Sequence, residues 1–116
     1  MKIVHFSEIP AKKFESESVK GVIGRVAIGK EDGATTFCMR IFQLEPGGYT
    51  PMHKHDWEHE IFIHEGVGEV LQGDDWVQVG PGTVVFIPPG EKHQIKNAGK
   101  STLTFVCLIP SGPPEL

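Results

Sequence analysis

From Val19 onward, short runs rich in β-branched and aromatic residues alternate with tight turn signals. VKGVIGRVAIG (19–29) is followed by the turn KEDGAT, and FCMRIFQLE (37–45) is predicted to end at Pro46-Gly47-Gly48. EIFIH (60–64) stops at Glu65-Gly66, and VGEVLQ (67–72) leads through Gly73-Asp74-Asp75 into WVQVG (76–80). TVVFI (83–87) meets Pro88-Pro89-Gly90, and KHQIKN (92–97) and STLTFVCLI (101–109) complete the series. Strand-like runs between turn clusters, at a spacing of roughly ten residues, predict an all-β sandwich or barrel of about eight to nine strands. SEIPAKKFESES has room for one short turn of helix, and no longer segment keeps a helical period. Residues 1–18 read as an N-terminal arm, 19–110 as the barrel and 111–116 as a C-terminal tail.

Composition narrows the function classes. The 116 residues make one ordinary domain. The 14 glycines and 9 prolines are spread along the chain, so they read as turns and not as a disordered tract. Net charge is −4 with no Lys/Arg run, which leaves no electrostatic footprint for nucleic acid. No apolar stretch approaches the ~18–20 residues of a membrane span, and MKIVHFSEIPAKKF lacks the pattern of a secretory leader. The expectation is a soluble, cytoplasmic protein. Cys38 and Cys107 form no CxxC pair and read as reduced, buried thiols.

Candidate chemistry concentrates in HKHDWEHE (53–60). On an extended chain, positions i and i+2 share a face, so His53 and His55 project together and can clasp one ion. Imidazole suits Zn, Cu, Fe and Ni, whereas carboxylate and water suit Mn and Mg better. Isolated from other signals, an HxH pair is more often two surface histidines. Two longer patterns change that weighing. Gly47, five residues, His53-Lys54-His55 and later Gly66 form one frame. Gly82, TVVFI, Pro88-Pro89-Gly90, Glu91-Lys92, His93, QIK and Asn97 form a second. Together they resemble the two motifs of the cupin superfamily, in the right order and spacing. The spelling HDWEHEIF and the flanks MRIFQLEPGG and FVCLIP are also similar to small bacterial cupins with four histidines around manganese.

The resemblance implies a single-domain jelly-roll cupin barrel, a homodimer, and one divalent transition metal with two open positions. Manganese is the first expectation, with Fe, Cu, Ni and Zn as alternatives. Where the motif calls for a glutamate three or four residues after the second histidine, this chain has His59 and Glu60. Six residues separate His59 from Gly66, but only five separate Glu60 from it. Strand parity agrees, since it turns Ile61 and Ile63 inward with His59 and leaves Glu60, Phe62 and His64 outside. The expected ligands are therefore His53, His55, His59 and His93, with His5 and His64 outside the site. Four neutral ligands leave the full +2 charge of the ion in the barrel, which favours anionic substrates or oxygen species.

Around that set, Asp56, Glu58 and Glu60 are near enough in sequence to support a ligand. Trp57 is expected to pack and not to wall the site. Phe105 and Cys107 share a face with Leu103 and Ile109, and line the pocket if that face is interior. Arg40 shares parity with Cys38 and Phe42. A solvated arginine is the first expectation there, with a contact to a substrate anion the alternative. The functional expectation is a metal-dependent oxygenase or oxidative-cleavage enzyme that brings O2 or peroxide and a small organic molecule together. A non-catalytic module holding a metal and a small ligand, or an isomerase of sugar-like substrates, stands beside it. Fold by itself does not choose among these.

Overall fold

A computed structural model describes all 116 residues. Nine strands run in the order β1 (Lys12–Phe14), β2 (Lys20–Ile28), β3 (Phe37–Tyr49), β4 (His59–Glu65), β5 (Gly68–Gln72), β6 (Asp75–Val79), β7 (Val84–Ile87), β8 (Ile95–Asn97) and β9 (Leu103–Pro110). All pairings are antiparallel, and the spatial order is β6-β5-β8-β3-β9-β4-β7, with β2 on β3 and β1 on β2. The all-β expectation holds: the sheet curls into a cupin-type barrel. The arm contributes one 3-10 turn, Phe6–Glu8, and the short strand β1, which folds back on β2 of the same chain. No helix is long and apolar enough to cross a membrane.

The strand expected to end at Pro46 runs on to Tyr49. Its first part, residues 37–44, lies between β2 and β9, while Tyr49 pairs with Lys96 of β8. The Pro-Gly-Gly run is therefore a bend and not a stop. Gly47 takes φ +80, and the pairing with β2 shifts register between Lys20 and Val22. A Cβ on Gly48 would lie 2.8 Å from the Lys20 carbonyl oxygen and 2.9 Å from that of Glu45. An irregular, glycine-rich step of this kind lets one strand turn from one face of a barrel to the other.

The interior follows from alternation. On β4, His59, Ile61 and Ile63 are buried and Glu60, Phe62 and His64 are exposed. On β9, Leu103, Phe105, Cys107 and Ile109 are buried together. With Leu44, Val70, Ile87 and Ile95 they form one continuous core. Several of these core side chains, among them Ile61, Ile87, Ile95 and Phe105, also line the cavity that the histidines border.

Candidate metal centre

His53 and His55 lie in the segment between β3 and β4. His53 forms an isolated antiparallel bridge with His93, with N–H to carbonyl distances of 3.2 and 2.9 Å. The loop Pro88–Lys92 is held to the same segment, since the Gly90 N–H donates to the His55 carbonyl at 2.7 Å. Gly90 sits at φ +81, a conformation that glycine adopts without a Cβ clash. The Pro-Pro-Gly turn thus swings His93 into register with His53, across the barrel mouth.

The ligand atoms of His53, His55 and His93 lie within 4.8 Å of one another. His59, at the start of β4, packs beside this group of three. Its ring centroid is 4.9 Å from that of His55 and 4.8 Å from that of His93. The remaining spacings are 4.3 Å for His53–His55, 4.8 Å for His53–His93 and 5.1 Å for His55–His93. Burial and crowding disfavour protonation of His53, His55 and His59. Burial, then the neighbouring His93 and Arg40, lower the His59 pKa to about 3. Burial and the adjacent His55 and His93 bring His53 down to about 4, although its outer edge is open to solvent. His55 shifts in the same direction, chiefly through desolvation. Neutral imidazoles with free lone pairs are what a transition metal requires.

A second observation tests the fit. The His59 Nε2 is buried and has no hydrogen-bond partner, while Nδ1 faces Cys107 Sγ and Arg40 Nη2, each at 3.3 Å. An orphaned ring nitrogen beside three clustered imidazoles is a donor that a cation could take. His93 Nδ1 lies 3.0 Å from the Glu91 carbonyl, which can only accept, so this ring carries its proton on Nδ1 and leaves Nε2 free. The donor set is nitrogenous and suits a divalent transition metal of intermediate softness.

The supporting residues depart from expectation in two places. Arg40 is not solvated: it is 9% exposed, its Nε has no partner, and Nη2 donates to Cys107 Sγ at 3.0 Å. The reason is its inward parity on β3 and its register opposite Cys107 on β9, which carry the guanidinium into the barrel. Trp57 both packs and walls the site. It lies against the core and stacks on His55 with centroids 4.3 Å apart and planes 4° from parallel. Glu60 points outward and is exposed, and Asp56 is exposed as well. No carboxylate hydrogen-bonds to a histidine of the cluster.

Phe105 and Cys107 line a cavity of about 380 Å³ that opens beside the four histidines. Its other walls are mainly apolar, among them Val22, Phe42, Ile61, Ile87 and Ile95. No Asp or Glu side chain lines it, and Arg40 is its one Lys or Arg side chain. Asn97 has a structural part. Its Nδ2 donates to the carbonyls of Leu44 and Ser101, and its Oδ1 accepts from the Gly99 N–H.

Residues 40–109 match the family model described as Cupin domain. A solved structure of the polyketide cyclase RemF from Streptomyces resistomycificus superposes with a TM-score of 0.90 at 36% identity. That match covers 98% of this chain and 82% of the other. Among curated proteins, the oxalate-binding protein of Thermotoga maritima is 37% identical over 68 residues, or 58% of this chain and 56% of that one. The 1-methylthio-D-xylulose 5-phosphate methylsulfurylase of Rhodospirillum rubrum is 30% identical over 71 residues, or 61% and 46%. The chain spans about half the length of these two curated relatives.

Proposed function

The chain belongs to the cupin family, and from that premise we propose that it is a metal-dependent enzyme acting on a small, largely apolar molecule that carries ketone or enol oxygens, with ring closure as the reaction. The observation that carries this reading is the meeting of a three-histidine cluster, with His59 beside it, and an apolar cavity of about 380 Å³ that no Asp or Glu side chain lines. The likeness to a polyketide cyclase over nearly the whole chain supports the choice of reaction.

His53, His55, His93 and His59 would hold the metal, manganese first and iron, copper, nickel or zinc as alternatives. When bound, such an ion supplies Lewis acidity toward a carbonyl oxygen. The chain's own residues do the rest. Ile61, Ile87, Ile95 and Phe105 hold a folded carbon skeleton and exclude water from it. Trp57 keeps the His55 ring in one plane at the rim. Arg40, with no carboxylate in salt-bridge range, keeps a positive charge in the wall and favours electron-rich oxygens. Small polar sugars fit this lining poorly, which ranks an isomerase of sugar-like substrates below the cyclase.

Oxidative cleavage is the competing chemistry, and the two differ in their need for oxygen. The test is turnover of a synthetic aryl triketone by metal-loaded protein in an anaerobic chamber, followed by mass spectrometry. Ring closure with loss of one water, without oxygen and abolished in His53→Ala, is the expected result. Turnover only with O2 or peroxide would replace this reading by an oxygenase. Tight retention without turnover in either atmosphere would leave a binding module.

We further propose that the protein is a cytoplasmic homodimer. Its buried Cys38 and Cys107 are free thiols, as suits a reducing compartment. Phe62 and its register partner Val84, with Phe86 two residues along β7, are exposed by 48%, 75% and 57% on one outer face. An apolar face of this kind is suited to a second copy.

A further inference from the structure

An imidazole that binds a metal through one nitrogen carries its proton on the other, and when that N–H is buried it needs an acceptor. His93 finds one in the backbone carbonyl of Glu91. His59 does not. Its Nδ1 faces only two side chains, Arg40 Nη2 and Cys107 Sγ, both at 3.3 Å. These neighbours call for opposite tautomers. A guanidinium only donates, so a bond from Arg40 needs a lone pair on Nδ1 and places the proton on Nε2. Sulfur can accept, so a bond to Cys107 places the proton on Nδ1 and frees Nε2.

The surroundings decide between them. Nε2 is buried without a partner, so a proton there would be a stranded donor. A lone pair there is what a metal takes. Arg40 has a nearer partner than His59, since its Nη2 lies 3.0 Å from Cys107 Sγ. The register opposes Arg40 to Cys107 across β3 and β9, and Ile61 of β4 to Cys107 on the other side. The sulfur is therefore within reach of both, 3.0 Å from Arg40 Nη2 and 3.3 Å from His59 Nδ1, and the three atoms form a near-equilateral triangle.

We infer that Cys107 is the positioning residue for His59: its sulfur accepts the Nδ1–H while Arg40 donates to the same sulfur, and this turns the Nε2 lone pair to the metal. The inference rests on the reading that His59 is a ligand. It assigns Cys107 a part in metal capture that does not require it to touch the metal.

Zinc, a diamagnetic probe, makes the test direct. In zinc-loaded protein with ¹⁵N-labelled histidine, NMR reports which nitrogen of His59 carries the proton, and chelator competition reports affinity. Wild type should show the proton on Nδ1. Cys107→Ala and the volume-matched Cys107→Val should weaken zinc binding by about 10- to 100-fold and free the His59 ring from the metal. Cys107→Ser, whose hydroxyl accepts, should recover most of the loss. In a His59→Ala background, Cys107→Ala should add nothing further. Wild-type affinity and tautomer in both Cys107→Ala and Cys107→Val, with His59→Ala weakened, would overturn this inference alone. A loss that serine does not recover and that adds to the His59→Ala loss would also overturn it, by marking a merely structural role. Wild-type affinity in His59→Ala would overturn the ligand assignment, and this inference with it.

Discussion

At the scale of single residues, the fate of a polar side chain turns on what it meets inside the barrel. Asn97 is buried and makes three hydrogen bonds, to Leu44, Ser101 and Gly99. Asn97→Ala leaves those backbone groups without their partner and should cost about 2–3 kcal/mol. Urea titration measures the loss, and zinc content should stay at the wild-type level. His59 offers a pH test in metal-free protein. Its folded pKa lies near 3 against a usual 6.5, so folding favours the neutral ring. The stability it contributes is complete above about pH 6.5 and is lost as pH falls from there toward 3. The urea midpoint should fall through that window, and fall less steeply in His59→Gln. Cys38 has the opposite sign. Burial raises its pKa to about 11 from 9.0, so its contribution is whole below pH 9 and fades as pH rises toward 11. Parity made the burial of Cys107 and Phe105 legible from sequence. It did not reveal the buried Arg40, because a charge on an inward position is ordinarily read as solvated.

At the scale of elements, eight of the nine strands follow from alternation and turn chemistry. The exception, β1, is three residues long and too short for a period to show. The overrun of β3 past Pro46 has a physical cause as well. Pro-Gly-Gly breaks a flat ladder, yet a barrel strand needs such a break to turn between faces. Two glycines of the motif frame separate backbone conformation from crowding. Gly82 is at φ +88 with nothing near its missing Cβ. Gly66 is at φ +86, and a Cβ there would lie 2.4 Å from the Thr102 carbonyl oxygen and 2.8 Å from the Leu103 Cα. Gly82→Ala should cost about 1–2 kcal/mol from the left-handed backbone alone. Gly66→Ala should cost at least ~1 kcal/mol more, because the obstructing atoms are backbone and cannot rotate away. Paired thermal or urea denaturation of the two variants checks the difference.

At the scale of the whole molecule, the barrel gathers His53, His55 and His93 around one point, with His59 beside them, so a metal bound there would stabilise the fold. Free metal at about 100 times its Kd should add roughly 2.7 kcal/mol to unfolding. Chelation should remove it, as a calorimetric shift in Tm shows, and the shift should vanish in a His53→Ala, His93→Ala double variant. The outer face of β4 and β7 belongs to the same scale. Light scattering should give a dimer for the wild type and a monomer for Phe86→Lys, with metal content retained.

Sequence by itself determined the strand pattern, the inward parity of His59, Ile61 and Ile63, and the frame that joins His53 and His55 to His93. Those features are local, since period, turn chemistry and spacing are properties of neighbouring residues. Tertiary structure alone decided that Arg40 turns into the barrel, that Trp57 lies flat on His55, and that Cys107 Sγ meets both Arg40 and His59. Those contacts join positions up to 67 residues apart, and strand register, which no local signal encodes, brings them within hydrogen-bonding distance.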